Sequence, residues 1–282
     1  MGGQGPDGLI AMAKKEPPPF AKEADLCAAF VAALGREPRP HQISRDRWTA
    51  YPETADFDLL LVRESDGAQI GVEAKLRLTP HVVAQALPRY RWAPVVEGPD
   101  FRAVLVPWNA VDTGMGEICA ALGITVLRVD PDGFRAGRTG QPDFEPDLPH
   151  TDSYFRDEGW FEWAPERRCA VPDYVPDVAA GTPAPTKLTP WKISAIKLAV
   201  LLEERPVRRA DFVHLHLSPS RWLQNPGAWL IKADGGWIAG PSMPDFRAQH
   251  PVNYEQIKAD KAKWAPKVPA VAATGLIQAA LI

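Results

Sequence analysis

A chain of 282 residues with 45% hydrophobic and 24% charged residues has the composition of a globular protein and the length of two domains. A formal net charge of −3 gives no chain-wide attraction to a polyanion, and three widely spaced cysteines (Cys27, Cys119, Cys169) exclude both a disulfide framework and a zinc spacing. The opening MGGQGPDGLIAMAKKEPPPF lacks the apolar centre of a signal peptide, and no run approaches the roughly 18 apolar residues of a membrane span. A soluble protein of a reducing, cytoplasmic compartment without a membrane partner is therefore expected.

Residues 1–20 are rich in Gly and Pro and are expected to be flexible. AKEADLCAAFVAALG reads as a helix with Leu26, Phe30, Ala33 and Leu34 on one stripe and Gly35 as its stop. HQISRDRWTAYPETA is polar and turn-rich. DLLLVRE and QIGVEAKLRL are short apolar runs separated by Ser-Asp-Gly, a hairpin signal. TPHVVAQAL opens a helix with Thr79 as cap and Pro80 in the first position. FRAVLVPW, MGEICAALG and ITVLRVD then read as strand, helix and strand, completing an α/β domain over residues 21–130. From 131 to 186 the text turns acidic and proline-rich, as in PDFEPDLPH and VPDYVPDVAAGTPAPT, and reads as a linker. The aromatics of YFRDEGWFEWAPERRC give part of it something to pack with. A second unit follows over 187–247: a helix from LTPWKISAIKLAVLLEE, two short helices in RRADFVHLHL and SRWLQN, and two strands around Asp234-Gly235-Gly236. Three helices and a hairpin is the order of a winged helix-turn-helix. Residues 248–282 form a tail.

The chemistry concentrates in DLLLV…QIGVEAK. Charged residues inside an apolar strand are expensive unless they face solvent or serve a purpose. Side chains alternate along a strand, so Glu73 and Lys75 are expected on one face. In an antiparallel hairpin Asp58, heading the first strand, comes beside the end of the second. Two carboxylates with the carbonyl of Ala74 are hard oxygen ligands suited to Mg²⁺, and a lysine beside them can hold a water or offset developing charge. Plainer readings stand beside this one. Glu73 and Lys75 could be a solvated face carrying an ion pair worth under about 1 kcal/mol. Asp56 could take the place of Asp58, and Glu23 could be a first-turn acid favoured by the helix dipole.

The Asp-x14-Glu-x-Lys layout, with Phe57-Asp58 at its head, resembles the PD-(D/E)xK nuclease superfamily, and the resemblance covers about residues 20–130. It implies a restriction-endonuclease-like mixed sheet flanked by helices. It also implies a Mg²⁺-dependent phosphodiesterase, with Mn²⁺ as a substitute ion, that cleaves DNA as an endonuclease or nickase. Carried over residue by residue, Asp58, Glu73 and Ala74 would bind metal with Glu23 from the first helix. Lys75 would position the attacking water, and Gln85 on the next helix would complete the site. The run KLR…QAL and the following winged-helix order also resemble a group of bacterial PD-(D/E)xK phosphodiesterases of unknown role.

Between Lys187 and Arg247 nine bases stand against five acids, a net +4 on a chain that is otherwise negative. That asymmetry suggests a DNA-facing module. Arg208, Arg209, Ser220, Arg221 and Gln224 are candidates for phosphate or groove contact, Lys232 for the wing, and Arg77 for phosphate near the cleavage site. Trp191, Trp222, Trp229 and Trp237 are expected in the core of the small unit. Double-strand cleavage needs two sites, so a homodimer or partner subunit is a further expectation. The alternative function is a DNA-binding regulator, or a subunit of a defence or transposition complex, whose nuclease-like fold does no chemistry.

Overall fold

A computed structural model describes residues 19–36, 46–88, 97–110, 113–134, 140–151, 159–180, 187–224 and 227–266. The first helix, α1 (Glu23–Leu34), buries Leu26, Phe30 and Ala33 of the expected stripe and adds Cys27, while Leu34 is half-buried. Strands β1 (Trp48–Thr54), β2 (Phe57–Arg63) and β3 (Gln69–Ala74) follow as an antiparallel meander. After them come α2 (Pro80–Ala86), β4 (Glu97–Gly98), β5 (Phe101–Pro107), α3 (Thr113–Ala121) and β6 (Thr125–Asp130). The last elements of this part are β7 (Asp143–Glu145) and β8 (Arg167–Arg168).

Six of these strands make one mixed sheet in the order β1-β2-β3-β5-β6-β7. The β3–β5 and β5–β6 pairs are parallel, and the β6–β7 pair is antiparallel. Alternation along the strands divides the core. Leu59, Leu61, Ile70, Val72, Ala74, Ala103, Leu105, Leu127 and Val129 pack with α1 on one face. Val104 and Val106 pack with Val82, Val83 and Ala86 of α2 and with Cys119 of α3 on the other. The architecture is therefore a mixed α/β sheet flanked by helices on both faces.

Strand β1 arises from text that reads as polar and turn-rich. It is an edge strand that carries Pro52 and is only half-buried over most of its length, so it shows little of the apolar signal of an inner strand. The turn joining it to β2 contains no glycine. Glu53, Ala55 and Asp56 instead adopt left-handed φ values of 50°, 54° and 66°, each a strained choice for a side-chain-bearing residue.

Much of the 131–186 stretch is built onto the sheet. Strand β7 extends it, β8 pairs with β4, and Cys169 clamps onto β3. There the Gln69 amide donates to the Cys169 carbonyl at 2.9 Å while its oxygen accepts from the Cys169 N–H at 2.8 Å. Composition hides this because the contacts are backbone-directed and each uses a few isolated side chains.

The C-terminal part contains α4 (Pro190–Leu202), α5 (Arg209–His214), α6 (Ser220–Leu223), the hairpin β9 (Leu230–Ala233) and β10 (Gly236–Ala239), then α7 (Phe246–Gln249), α8 (Pro251–Ala259) and α9 (Lys261–Trp264). Thr189 caps α4 by accepting from the Lys192 N–H. Trp222 and Phe212 are fully buried in an aromatic core, where Trp222 lies 5.1 Å from Trp229 and Phe212 6.0 Å from Trp222, ring centre to ring centre. Helix α8, from the expected tail, adds Tyr254 and Ile257 to this core. Asp177 of the acidic stretch ties itself to it, accepting from the Val252 and Asn253 N–H groups and pairing with the buried His250 at 2.8 Å. No helix among the described residues is long and apolar enough to cross a membrane.

Replacing Gln69 with Leu removes both partners of the buried Cys169 backbone. A loss of about 1–3 kcal/mol is expected, read as a lower melting temperature together with faster proteolysis within residues 159–180. Unchanged protection of that segment would mean that the clamp does not hold it.

Candidate active site

Strand β3 is buried at all six positions, so its polar groups need partners inside the protein. At its C-terminal end the Ala74 N–H donates to the Asp58 carboxylate at 2.8 Å. The preceding residue, Phe57, packs its ring against β3 at Gly71, where an added Cβ would fall 2.5 Å from the ring. The residue after Ala74, Lys75, anchors its own N–H to the Leu105 carbonyl at 2.9 Å. Its ammonium donates to Glu23, the first residue of α1, at 2.8 Å. Asp58, Lys75 and Glu23 thus meet where the ends of β2 and β3 approach the start of α1.

Glu73 occupies a different position. Its neighbours Val72 and Ala74 face α1, so alternation directs Glu73 to the α2–α3 face, in register beside Val104. It is buried there, and its charge acts on Arg102 and on Lys75. The sequence expectation of Glu73 and Lys75 on one face assumed that the strand ran through both. The strand ends at Ala74, so alternation no longer governs Lys75, which bends toward α1.

The electrostatics of the rim follow from burial and sign. Burial pushes the Asp58 carboxyl above its usual range and Glu23 adds to the rise, against the pull of the Ala74 N–H, Lys75 and Lys187. Burial alone would depress the Lys75 ammonium. Its hydrogen bond to Glu23 and the nearby Asp58 charge outweigh that, and it is held above its ordinary value. Cys27, on the inner side of α1, has its thiol pushed up to about 12, first by burial and then by Asp58, Glu23 and Glu53. It stays a neutral thiol, with neither nucleophilic nor ligand character.

Two contributors escaped the sequence reading. Glu53 falls between the paired positions Pro52↔Leu59 and Thr54↔Phe57, which sets it opposite Asp58. Its only sequence signal would have been recognition of β1. Lys187, at the threshold of α4, lies 3.8 Å from Asp56 and acts on Asp58 across a long sequence separation. Asp56 itself is exposed in the turn, so Asp58 is the aspartate at the rim.

The remaining expected residues lie elsewhere. Gln85 is exposed on α2, whose Val82, Val83 and Ala86 are buried, and Arg77 is exposed between β3 and α2. In the C-terminal part Arg208 donates to the Gly235 carbonyl of the hairpin turn. Arg209, Ser220, Gln224 and Lys232 are exposed. Arg221 is stacked 5.4 Å from the Trp191 ring and 5.9 Å from the Trp229 ring.

Among the described residues no group of three or more His, Cys, Asp or Glu side chains is spaced to hold a metal ion. The donor set at the rim nonetheless fits a hard cation. Asp58 and Glu23 are both carboxylates in a half-buried setting, and the Glu23 charge adds to the cost of ionising Asp58. Mg²⁺ commonly takes one or two protein carboxylates and leaves its other positions to water and phosphate. The chain matches no protein-family model, no curated protein and no solved structure.

An Asp58 with a raised folded-state pKa contributes stability that is present below the unfolded value and lost as pH rises through the folded one. Asp58→Asn, which keeps an acceptor for the Ala74 N–H, should therefore match wild type near about pH 3.5–4 and melt at a higher temperature at neutral pH. Thermal melts across that range test this. A less stable variant at pH 7 would make Asp58 a structural ion-pair partner instead.

Proposed function

We propose that this chain is a divalent-metal-dependent phosphodiesterase that cleaves DNA, with residues 21–130 as a restriction-endonuclease-like domain of the PD-(D/E)xK type and residues 187–247 as a winged-helix module. The observation that carries this reading is the meeting of Asp58, Lys75 and Glu23 at the sheet rim, where a carboxylate kept costly to ionise sits beside a lysine held firmly protonated. Groups with pKa values pushed by burial and specific partners cluster at functional sites. The order of helix, antiparallel strands, crossover helix and parallel strand supports the same reading.

In this reading Asp58 and Glu23 hold the cation. Once bound, Mg²⁺ or Mn²⁺ supplies charge neutralisation of the phosphodiester and acidifies a water molecule. Lys75, tied to Glu23, presents its ammonium toward the scissile phosphate, where it orients the attacking water and offsets the growing negative charge. Asp58 is fixed by the Ala74 N–H, so its carboxylate is preorganised and loses little freedom on binding. Glu73, on the far face, steadies Lys75 through its charge and makes no contact with the substrate.

The rival reading, a nuclease-like fold without chemistry, draws on the placement of Glu73 toward Arg102. Supercoiled plasmid separates the two. Wild type with Mg²⁺ or Mn²⁺ is expected to nick or linearise it. Lys75→Ala and Asp58→Ala should each lower the rate by at least about 10²-fold, while Glu73→Gln, on the opposite face, should cost about tenfold or less. Intact plasmid with wild type and either ion favours the regulator or complex-subunit alternative. A Glu73→Gln loss as deep as that of Asp58→Ala would return Glu73 to the metal.

A further inference from the structure

Among the described residues of the C-terminal part, the helix in the recognition position is too short to lie along a major groove in the usual way. Helix α6, third in the three-helix order, contains four residues, Ser220–Leu223, and so spans only about 6 Å. Its one basic side chain, Arg221, is exposed and is held over Trp191 of α4 and Trp229 of the β9 approach. Stacking of this kind uses the guanidinium face and leaves the N–H edge to hydrogen-bond an oxyanion.

A second cation shares the same aromatic cluster. Lys192, in the first turn of α4, lies 5.3 Å from the Phe246 ring centre and donates to Gln249 at 3.0 Å. Phe246 packs 6.1 Å from both Trp222 and Trp229, so the supports of the two cations are continuous. The cations also sense each other. Burial, and then the Arg221 charge, lower the Lys192 ammonium. Two like charges held on one rigid platform repel, and a shared anion relieves that repulsion. Several other basic residues of this part are committed to acids, Arg205 to Asp211, Arg247 to Glu203 and Glu255, Lys258 to Glu203 and Lys261 to Glu204, whereas Arg209 and Lys232 are exposed away from this aromatic cluster.

We infer that Lys192 and Arg221 form a clamp for the phosphate backbone of duplex DNA, one that holds the duplex without reading its base sequence. Arg221 covers the tryptophan faces on which unpaired bases would stack, so the clamp favours a duplex over a single strand. Positioning through phosphates carries no sequence information, and cleavage at the Asp58 rim would then be indifferent to sequence. This deepens the DNA-cleaving reading and rests on it for the choice of polyanion.

Fluorescence anisotropy of the full chain with two labelled DNA duplexes of unrelated sequence, in EDTA to prevent cleavage, tests the clamp across a salt series. Equal affinities are expected for the two duplexes, with weaker binding to a single strand of equal length. Arg221→Gln and Lys192→Met should each weaken binding roughly five- to tenfold at low salt and reduce the salt slope by about one. Arg247→Gln, which removes a cation already paired, should change little. Arg221→Lys keeps the charge without the flat fork and should retain part of the affinity, a check that does not depend on the fold tolerating Gln. Unaltered binding and slope in the Arg221 and Lys192 variants, no binding by wild type, or a strong preference for one duplex would each overturn the clamp. Plasmid cleavage that ignores Lys192 and Arg221 would overturn the clamp alone. Clamp-dependent binding without cleavage would overturn the nuclease reading alone.

Discussion

Strand β3 has no exposed residue, and that constraint organises the surrounding structure. A strand paired on both sides and covered on both faces leaves each of its polar groups dependent on a partner from elsewhere in the chain. The Gln69 N–H is taken by Asp100 and the Gln69 side chain by Cys169. Glu73 lies within reach of the Arg102 charge, and the Ala74 N–H is taken by Asp58. The partners come from three segments, so the polar groups of one strand tie it to β2, to the start of β5 and to the 159–180 arm. The candidate site is the last link of that series, at the point where the strand ends and Lys75 leaves the ladder for Glu23.

The site is consequently a compromise between folding and chemistry. The Asp58 hydrogen bond closes the end of the hairpin, yet the same burial makes its charge costly, and Glu23 raises that cost. The end of β1 and the turn after it hold three side-chain-bearing residues in the left-handed region. Strain and a charge that is costly to form in one place are what a protein tends to keep only where another property depends on them.

The C-terminal part uses its charge differently. Arg205, Arg247, Lys258 and Lys261 are absorbed by neighbouring acids, while Arg221 and Lys192 are supported by aromatic rings. A net charge summed over a segment cannot make that distinction, because it weights a paired and an unpaired cation alike. The tryptophans expected in the core divide in the same way: Trp222 is buried, whereas Trp191 and Trp229 are half-buried and form the seat of Arg221.

Periodicity and local chemistry sufficed for the helix over Glu23–Leu34, the start of α2 after Thr79, the Thr189 cap, the strands around DLLLV and QIGV, and the Asp234-Gly235 turn, because those signals lie within a few residues of one another. Strand alternation grouped Asp58, Glu73 and Lys75, and the resemblance added Glu23; the structure brings Asp58, Lys75 and Glu23 together and leaves Glu73 on the other face. Tertiary structure alone decided that Lys75 joins Glu23 on the α1 side while Glu73 faces the other way, which depends on β3 ending one residue before Lys75. It alone showed β1, whose edge position frees it from an apolar pattern, and with it Glu53. It alone turned an acidic, proline-rich stretch into strand, clamp and tether through isolated pairs such as Gln69 with Cys169 and Asp177 with His250. Such pairs span seventy to a hundred residues, and nothing in the spacing of a single chain announces them.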